Sequence, residues 1–363
     1  MRVLHVLTSP NPRGAESGAV ALDRALRQRG VVGDIVCLTP PSGTTALNVE
    51  ALGGHSLAPT TLMRLRARAR FHDVVVAHGS RTLPASAISL VGTGVPFVYK
   101  NIGDTAYWSS TTLRRLRVGA ALRRTAAVVT LHGGAKAGMH DHHGLSDSRV
   151  VVIPSWRSGE RFKPVTAVRR RQARFELGLD QTRSVFLVMG ALAIEKRFEL
   201  AIEAVAPLPD AVLVIVGDGP ERSRLERKAA AMMPGRCLFT GSVACPESVL
   251  PAADVVLLTS ESEGVPGVLI EAGLSSLPVV AFDVGGVSSV VVDGATGLLV
   301  PPADVVAMTA ACARVLGDAR GMGRRARERC LHEYDTERVV DMWLALLRNV
   351  TDSAHNVSER PNF

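Results

Sequence analysis

The chain is short of cysteine, of long apolar runs and of lysine. Its five cysteines, Cys37, Cys237, Cys245, Cys312 and Cys330, are odd in number and show no C-x-x-C spacing. That argues against a disulfide framework or a thiolate metal knuckle, and the thiols read as reduced and mostly structural in a cytosolic protein. No apolar run approaches the roughly 20 residues of a membrane span. The opening MRVLHVLTSP is too short and too soon interrupted to serve as a signal peptide. The expected location is therefore cytoplasmic, with the inner membrane face as an alternative site of peripheral attachment. Glycine is plentiful, yet the GDG at 217–219 lacks the third glycine of a dinucleotide fingerprint, so an NAD site is not expected. The HDHH run at 140–143 has the spacing of a polar loop and not of a metal site.

What is present is enough chain for two cores. There are 363 residues, 47% hydrophobic and 21% charged, which is ordinary for a globular protein. The net charge of +8 is unevenly placed: residues 1–164 hold 21 Lys and Arg against 9 Asp and Glu, the remainder 21 against 25. A basic half can in general meet anionic lipid, nucleic acid or a phosphorylated substrate, or be a solvated arginine surface. No nucleic-acid partner is expected.

Apolar patterning predicts an α/β alternation repeated twice. In the first half, strands are expected at 2–8, 31–38, 73–78, 95–99, 126–131 and 150–154, with helices at 17–29, 61–70 and 111–124, the last two rich in arginine. Residues 40–60 are turn-rich. A polar, arginine-bearing stretch from Ser155 to Arg174 reads as a linker and the first helix of the second half. Strands then follow at 184–190, 211–219, before Gly241, at 255–258 and at 277–283, with a hairpin-like return near 300. Helices are expected at 196–208, 304–317, 320–333 and 336–349, the last bearing Trp343. The predicted architecture is two tandem doubly wound, Rossmann-like domains with a cleft between them: an N-terminal domain over 1–164, a C-terminal domain over 165–335, a last helix over 336–350 and a polar tail at 351–363.

The most informative stretch is DVVLLTSESEGVPGVLIEAG at 254–273. A buried strand ends in polar residues, a Gly-Val-Pro-Gly turn follows, and an apolar helix opens near Gly267. A helix start beyond a parallel strand offers unpaired amides and a positive dipole end to an anion. Glu263 and Glu271 frame it. A carboxylate beside a phosphate repels it, so its natural partner is a hydroxyl or a diol. Two such acids around a phosphate-binding turn suggest a ribose at one end and a sugar at the other, which describes a nucleotide-sugar.

With these residues in view, the chain resembles glycosyltransferase family four, retaining enzymes of the GT-B fold. Glu263 and Glu271 reproduce the family's E-x7-E element, and GALAIEK at 190–196 sits where the family has G-R-L-x-x-x-K. VGDGPER at 216–222, FTGS at 239–242 and DVGGV with DGATGLLV at 283–300 are also similar, as is RGAESG at 13–18 to a Gly-Gly-x-Glu loop. The sequence departs from the family at Ala191, where an arginine is usual, at Arg13, where a glycine is usual, at KNIGD (100–104), where a histidine is usual, and at IPSWRSGERF (153–162) in place of Asn-Gly-Val-Asp.

The resemblance implies that helix 336–350 packs back on the N-terminal domain, and that the chain is a metal-independent, retaining hexosyltransferase that uses a UDP- or GDP-sugar and no cofactor. The absence of a D-x-D element agrees with this. Lys196 would neutralise the donor diphosphate and act with Glu263 in catalysis, Glu263 meeting a sugar hydroxyl. Gly14, Gly241, Gly264, Val265, Pro266, Gly267, Val268 and Glu271 would complete the donor site, Glu271 holding the ribose diol. Arg13, His78, Lys100, Asn101 and Asp104 are the acceptor-side candidates, and Arg81 is a further cation for a phosphorylated acceptor. The acceptor is either a cell-envelope or lipid-linked intermediate, with the basic half touching anionic membrane, or a soluble small molecule. The alternatives are a catalytically weak nucleotide-sugar-binding relative and a GT-B sugar-nucleotide epimerase.

Overall fold

The computed structural model describes residues 1–11, 14–41, 46–102 and 111–358. The chain divides into two compact units, one of Met1–Ser155 joined by the residues from Val339 onward, the other of Trp156–Arg338.

In the first unit the strands are β1 (Arg2–Leu7), β2 (Val32–Cys37), β3 (Glu50–Ala51), β4 (Val74–His78), β5 (Phe97–Lys100), β6 (Ala127–Thr130) and β7 (Val150–Val152). They form one sheet in the order β3-β2-β1-β4-β5-β6-β7, every pair parallel. Strands in such a sheet are covered on both faces, which is why VVVAH and FVYK read as unbroken buried runs. Helices Gly14–Gln28, Pro59–Ala69, Thr82–Ser89, Thr112–Leu122 and Gly133–His143 connect the strands. Leu4, Val75, Leu83, Tyr99, Leu122 and Val128 belong to the core. The residues from Val339 onward add Trp343, which is fully buried.

The second unit has β8 (Ser184–Met189), β9 (Ala211–Val216), β10 (Cys237–Gly241), β11 (Val255–Leu258), β12 (Val279–Phe282) and β13 (Gly297–Val300). Their order is β10-β9-β8-β11-β12-β13, again all parallel. The chain winds outward from β8 in one direction, then returns to start beside it at β11. The segments that leave β8 and β11 therefore diverge to opposite faces and open a crevice at their carboxyl ends.

Several expectations are corrected by the structure. The helix expected from 17 already begins at Gly14, with Glu16 in its first turn, where the dipole favours a carboxylate. Lys196 does not open a helix. It ends a 3-10 turn at Ile194–Lys196, and the helix runs Phe198–Val205 after Arg197, whose φ of 50° breaks the α path. The HDHH run lies in the last turn of the Gly133–His143 helix and not in a loop, closed by Gly144 in the left-handed conformation. The return near 300 is not hairpin-like, since β13 pairs parallel to β12. The last helix extends over Thr336–Ser358, so residues 351–358 of the expected tail are helical. The chain passes into the second unit at Trp156, within the stretch read as linker.

Candidate functional site

The crevice between β8 and β11 in the second unit is where the chain gathers its polar chemistry. Beyond β11 come Thr259 and Ser260, both fully buried. Thr259 Oγ1 donates to the carbonyl of Lys196 at 3.0 Å, and the amide of Glu261 donates to the carbonyl of Glu195 at 2.9 Å. These two bonds pin the turn after β8 against the segment after β11. The side chains then meet: Lys196 Nζ lies 2.6 Å from Glu263 Oε1, with Lys196 28% and Glu263 13% exposed. Arg197 is directed away from this pair, its Nε donating to Glu199 at 2.7 Å.

Glycines on the neighbouring loops make close backbone approaches. A methyl group on Gly285, at φ 53°, would lie 1.9 Å from the carbonyl oxygen of Glu263, and the amide of Gly286 donates to that same oxygen at 3.1 Å. The backbone that carries Glu263 is thus held by the turn after β12. On the other side, a methyl on Gly217 (φ 137°) would lie 1.8 Å from the carbonyl of Gly190, and the amide of Gly217 donates to the carbonyl of Gly241 at 2.9 Å. These contacts lock the exits of β8, β9 and β10 together.

The apolar helix predicted near Gly267 spans Gly267–Leu274, with Pro266 as its N-cap residue. Glu271 is buried. Its partner is Arg157, whose Nε donates to Glu271 Oε1 at 2.6 Å. The same guanidinium lies against the helix start, because a methyl on Gly267 would be 2.0 Å from Arg157 Nη2. Gly267 and Glu271, one turn apart, do share a face, and Arg157 covers it. The backbone of Arg157 is fixed by its amide, which donates to the carbonyl of Tyr334 at 3.1 Å.

Of the expected site residues, Lys196, Glu263, Gly264–Val268 and Glu271 fall within this neighbourhood, and Gly241 ends β10. His78, Lys100 and Asn101 belong to the first unit, at and just past the ends of β4 and β5. Arg81 precedes the Thr82–Ser89 helix, and Gly14 begins its own helix. Arg13 and Asp104 lie outside the described residues. His78 Nε2 is 3.0 Å from His5 Nδ1, and both rings are buried. Burial, with the nearby Lys100 charge, pushes His5 down to about 3; burial, His5 and Lys100 hold His78 well below the usual histidine range. Among the described residues no group of three or more His, Cys, Asp and Glu is placed to hold a metal.

Sequence reasoning did not single out Arg157, Thr259 or His5. Arg157 had no periodicity to announce it; only the glycine at 267, in a helix start that needs no glycine conformation, hinted at a close neighbour.

Residues 169–330 match the Glycosyl transferases group 1 family. The chain is 35% identical over 206 residues to an alpha-D-kanosaminyltransferase of Streptomyces kanamyceticus, a match covering 54% of this chain and 53% of that protein. It is 26% identical over 287 residues to a UDP-Gal:alpha-D-GlcNAc-diphosphoundecaprenol alpha-1,3-galactosyltransferase of Escherichia coli, covering 74% and 73%. The match to the first of these relatives spans about half its length. Among solved structures, Anabaena HepE in complex with UDP-glucose superposes with a TM-score of 0.83 at 21% identity, covering 96% of this chain and 100% of that one. The two Rossmann-like domains are those of the GT-B fold.

Proposed function

We propose that the chain is a retaining, metal-independent glycosyltransferase that takes its sugar from a UDP- or GDP-sugar bound at the strand ends of the second unit. The observation that carries this reading is the Lys196–Glu263 pair at the β8/β11 crevice, a cation and an acid held 2.6 Å apart inside a group 1 domain. The solved neighbour that holds UDP-glucose supports a nucleotide-sugar as donor. In the proposed reaction the bond from the anomeric carbon to the diphosphate oxygen breaks, and an acceptor hydroxyl oxygen takes that carbon and gives its proton to the departing diphosphate. Negative charge grows on the departing diphosphate, where Lys196 and the amides at Gly267 stabilise it. When Lys196 turns to the diphosphate, Glu263 is released to accept from a sugar hydroxyl. Glu271 accepts from the ribose. His78, Lys100 and Asn101 are proposed to face the acceptor.

For the acceptor we favour a lipid-linked or cell-envelope intermediate. The Thr112–Leu122 helix exposes Leu113 and Leu116 beside Arg114, Arg115 and Arg117. None of these three arginine side chains makes a hydrogen bond among the described residues, whereas Arg64, Arg66 and Arg68 of the other basic helix are bound to Leu52, Ser89 and Glu50. An apolar pair flanked by unengaged arginines suits an anionic membrane surface. The Escherichia coli relative, named for a diphosphoundecaprenol acceptor, points the same way.

A thermal-shift panel of nucleotide-sugars tests the donor assignment. One sugar-nucleotide should raise Tm, and Lys196→Ala should abolish the shift. Stabilisation without any donor turnover would leave a nucleotide-sugar-binding relative. Co-sedimentation with anionic vesicles at low salt, lost at high salt and in a Leu113→Ala/Leu116→Ala variant, tests the membrane contact.

A further inference from the structure

We propose that Arg157 is a donor-binding residue that contacts the diphosphate directly, resting on the reading of the second unit's crevice as a nucleotide-sugar site. Three observations lead there. First, the guanidinium is divided. Nε donates to Glu271 Oε1 at 2.6 Å and Nη1 to the carbonyl of Trp156 at 2.8 Å, while Nη2 makes no hydrogen bond among the described residues. Second, Nη2 is the nitrogen that lies against Gly267, in the space a side chain there would fill. It is therefore parked at the start of the Gly267–Leu274 helix. A cation at that end opposes the helix dipole, and only part of the cost is offset by Glu271 one turn on. An anion bound between the first amides and Nη2 would satisfy both at once, by charge-assisted hydrogen bonds of the kind guanidinium groups form with phosphate. Third, the neighbouring arginine, Arg197, is turned away to Glu199 at 2.7 Å, so Arg157 rather than Arg197 is placed to join Lys196 at the diphosphate.

The arrangement gives Arg157 two tasks. Through Nε it orients Glu271, leaving the second carboxylate oxygen for a hydroxyl. Through Nη2 it meets the phosphate. The site would thus read sugar ring and diphosphate as neighbours, with one side chain joining the two recognitions. Gly267 is glycine because any Cβ there would expel the guanidinium.

The two tasks separate experimentally by comparing nucleoside diphosphate with nucleoside. Calorimetric titrations of the full chain with UDP and uridine, and with GDP and guanosine, give the gain in affinity due to the diphosphate. In Arg157→Ala this gain should fall by about ten- to a hundredfold. In Arg157→Gln, which can still donate to Glu271 but carries no charge, it should fall as far, with nucleoside affinity kept near the wild-type value. That second variant holds the test open if the alanine protein folds poorly. Equal losses for diphosphate and nucleoside in both variants would show that Arg157 only positions Glu271. Tighter binding of both ligands would show that it only masks the acid. Either result overturns the proposal while leaving the donor site standing. A wild-type chain that binds neither diphosphate overturns the donor site itself, and the role of Arg157 with it.

Discussion

Lys196 donates to Glu263 across 2.6 Å, and by doing so ties the turn that leaves β8 to the segment that leaves β11. Neither residue is near the other in sequence. The parallel order that places β11 beside β8 makes them neighbours.

Because Lys196 can meet the diphosphate only as it leaves Glu263, the two residues act as a coupled pair and their removal should not add. Lys196→Ala and Glu263→Gln are each expected to lower donor turnover by roughly a hundredfold or more, as loss of one electrostatic contact to a charged transition state does. The double variant should be little worse than the poorer single one. Donor hydrolysis or transfer, followed by release of the nucleoside diphosphate, measures this. Fully multiplicative losses would mean that the pair does not act as a unit.

Gly285 predicts a sharper contrast. Gly285→Ala must move the carbonyl of Glu263 and also strains a φ of 53°, whereas Gly294→Ala meets the strain, at φ 71°, with nothing within 4 Å of the new methyl. Both should lose stability, Gly294→Ala by about 1–2 kcal/mol and Gly285→Ala by more. Only Gly285→Ala should also lose turnover at temperatures where it remains folded. Urea melts alongside turnover assays separate the two effects, and equal behaviour would remove the claim that this turn positions Glu263.

The His5–His78 pair predicts acid sensitivity. Burial lowers the folded pKa of His5 to about 3 from 6.5, so between these values the unfolded chain binds more protons than the folded one. Stability is therefore full above about pH 6.5 and falls as the pH drops toward 3, by up to about 1.4 kcal/mol per pH unit for each such histidine. His78 shifts in the same direction. The stability difference between pH 7 and pH 5 should shrink in a His5→Gln/His78→Gln protein relative to wild type. An unchanged difference would mean that the pair is not buried in its neutral form.

Thiol reactivity should be selective. Burial pushes Cys37, Cys237, Cys312 and Cys330 up to about 12, whereas Cys245 is exposed. At mildly alkaline pH, iodoacetamide should add one group per folded chain, at Cys245, as mass spectrometry of the intact protein and its peptides would show. Rapid labelling at Cys312 or Cys330 would contradict the packing around them.

The sheets were legible because parallel strands buried on both faces leave unbroken apolar runs, such as Val255–Leu258 and Ala211–Val216. The acids were legible because Glu263 and Glu271 flank a turn and helix start whose chemistry is local. What escaped was made by distant chain. Arg157 reaches Glu271 across 114 positions, and no pattern around either residue signals the other. The path at Lys196 escaped for a different reason: Arg197 adopts a left-handed conformation that a non-glycine residue takes only when its surroundings impose it. The helices at 82–89 and 133–143 were missed because small and polar residues dominate them, which weakens the 3.6-residue apolar repeat.

The last helix belongs to the second unit only at Thr336–Arg338 and to the first from Val339 on. During synthesis this reverses the order in which the two units are finished. The second unit has all its strands, and its chain as far as Tyr334, before Trp343 has been made, while the first, though begun earlier, must wait for it. Until then the first unit lacks the largest of the fully buried side chains among the described residues.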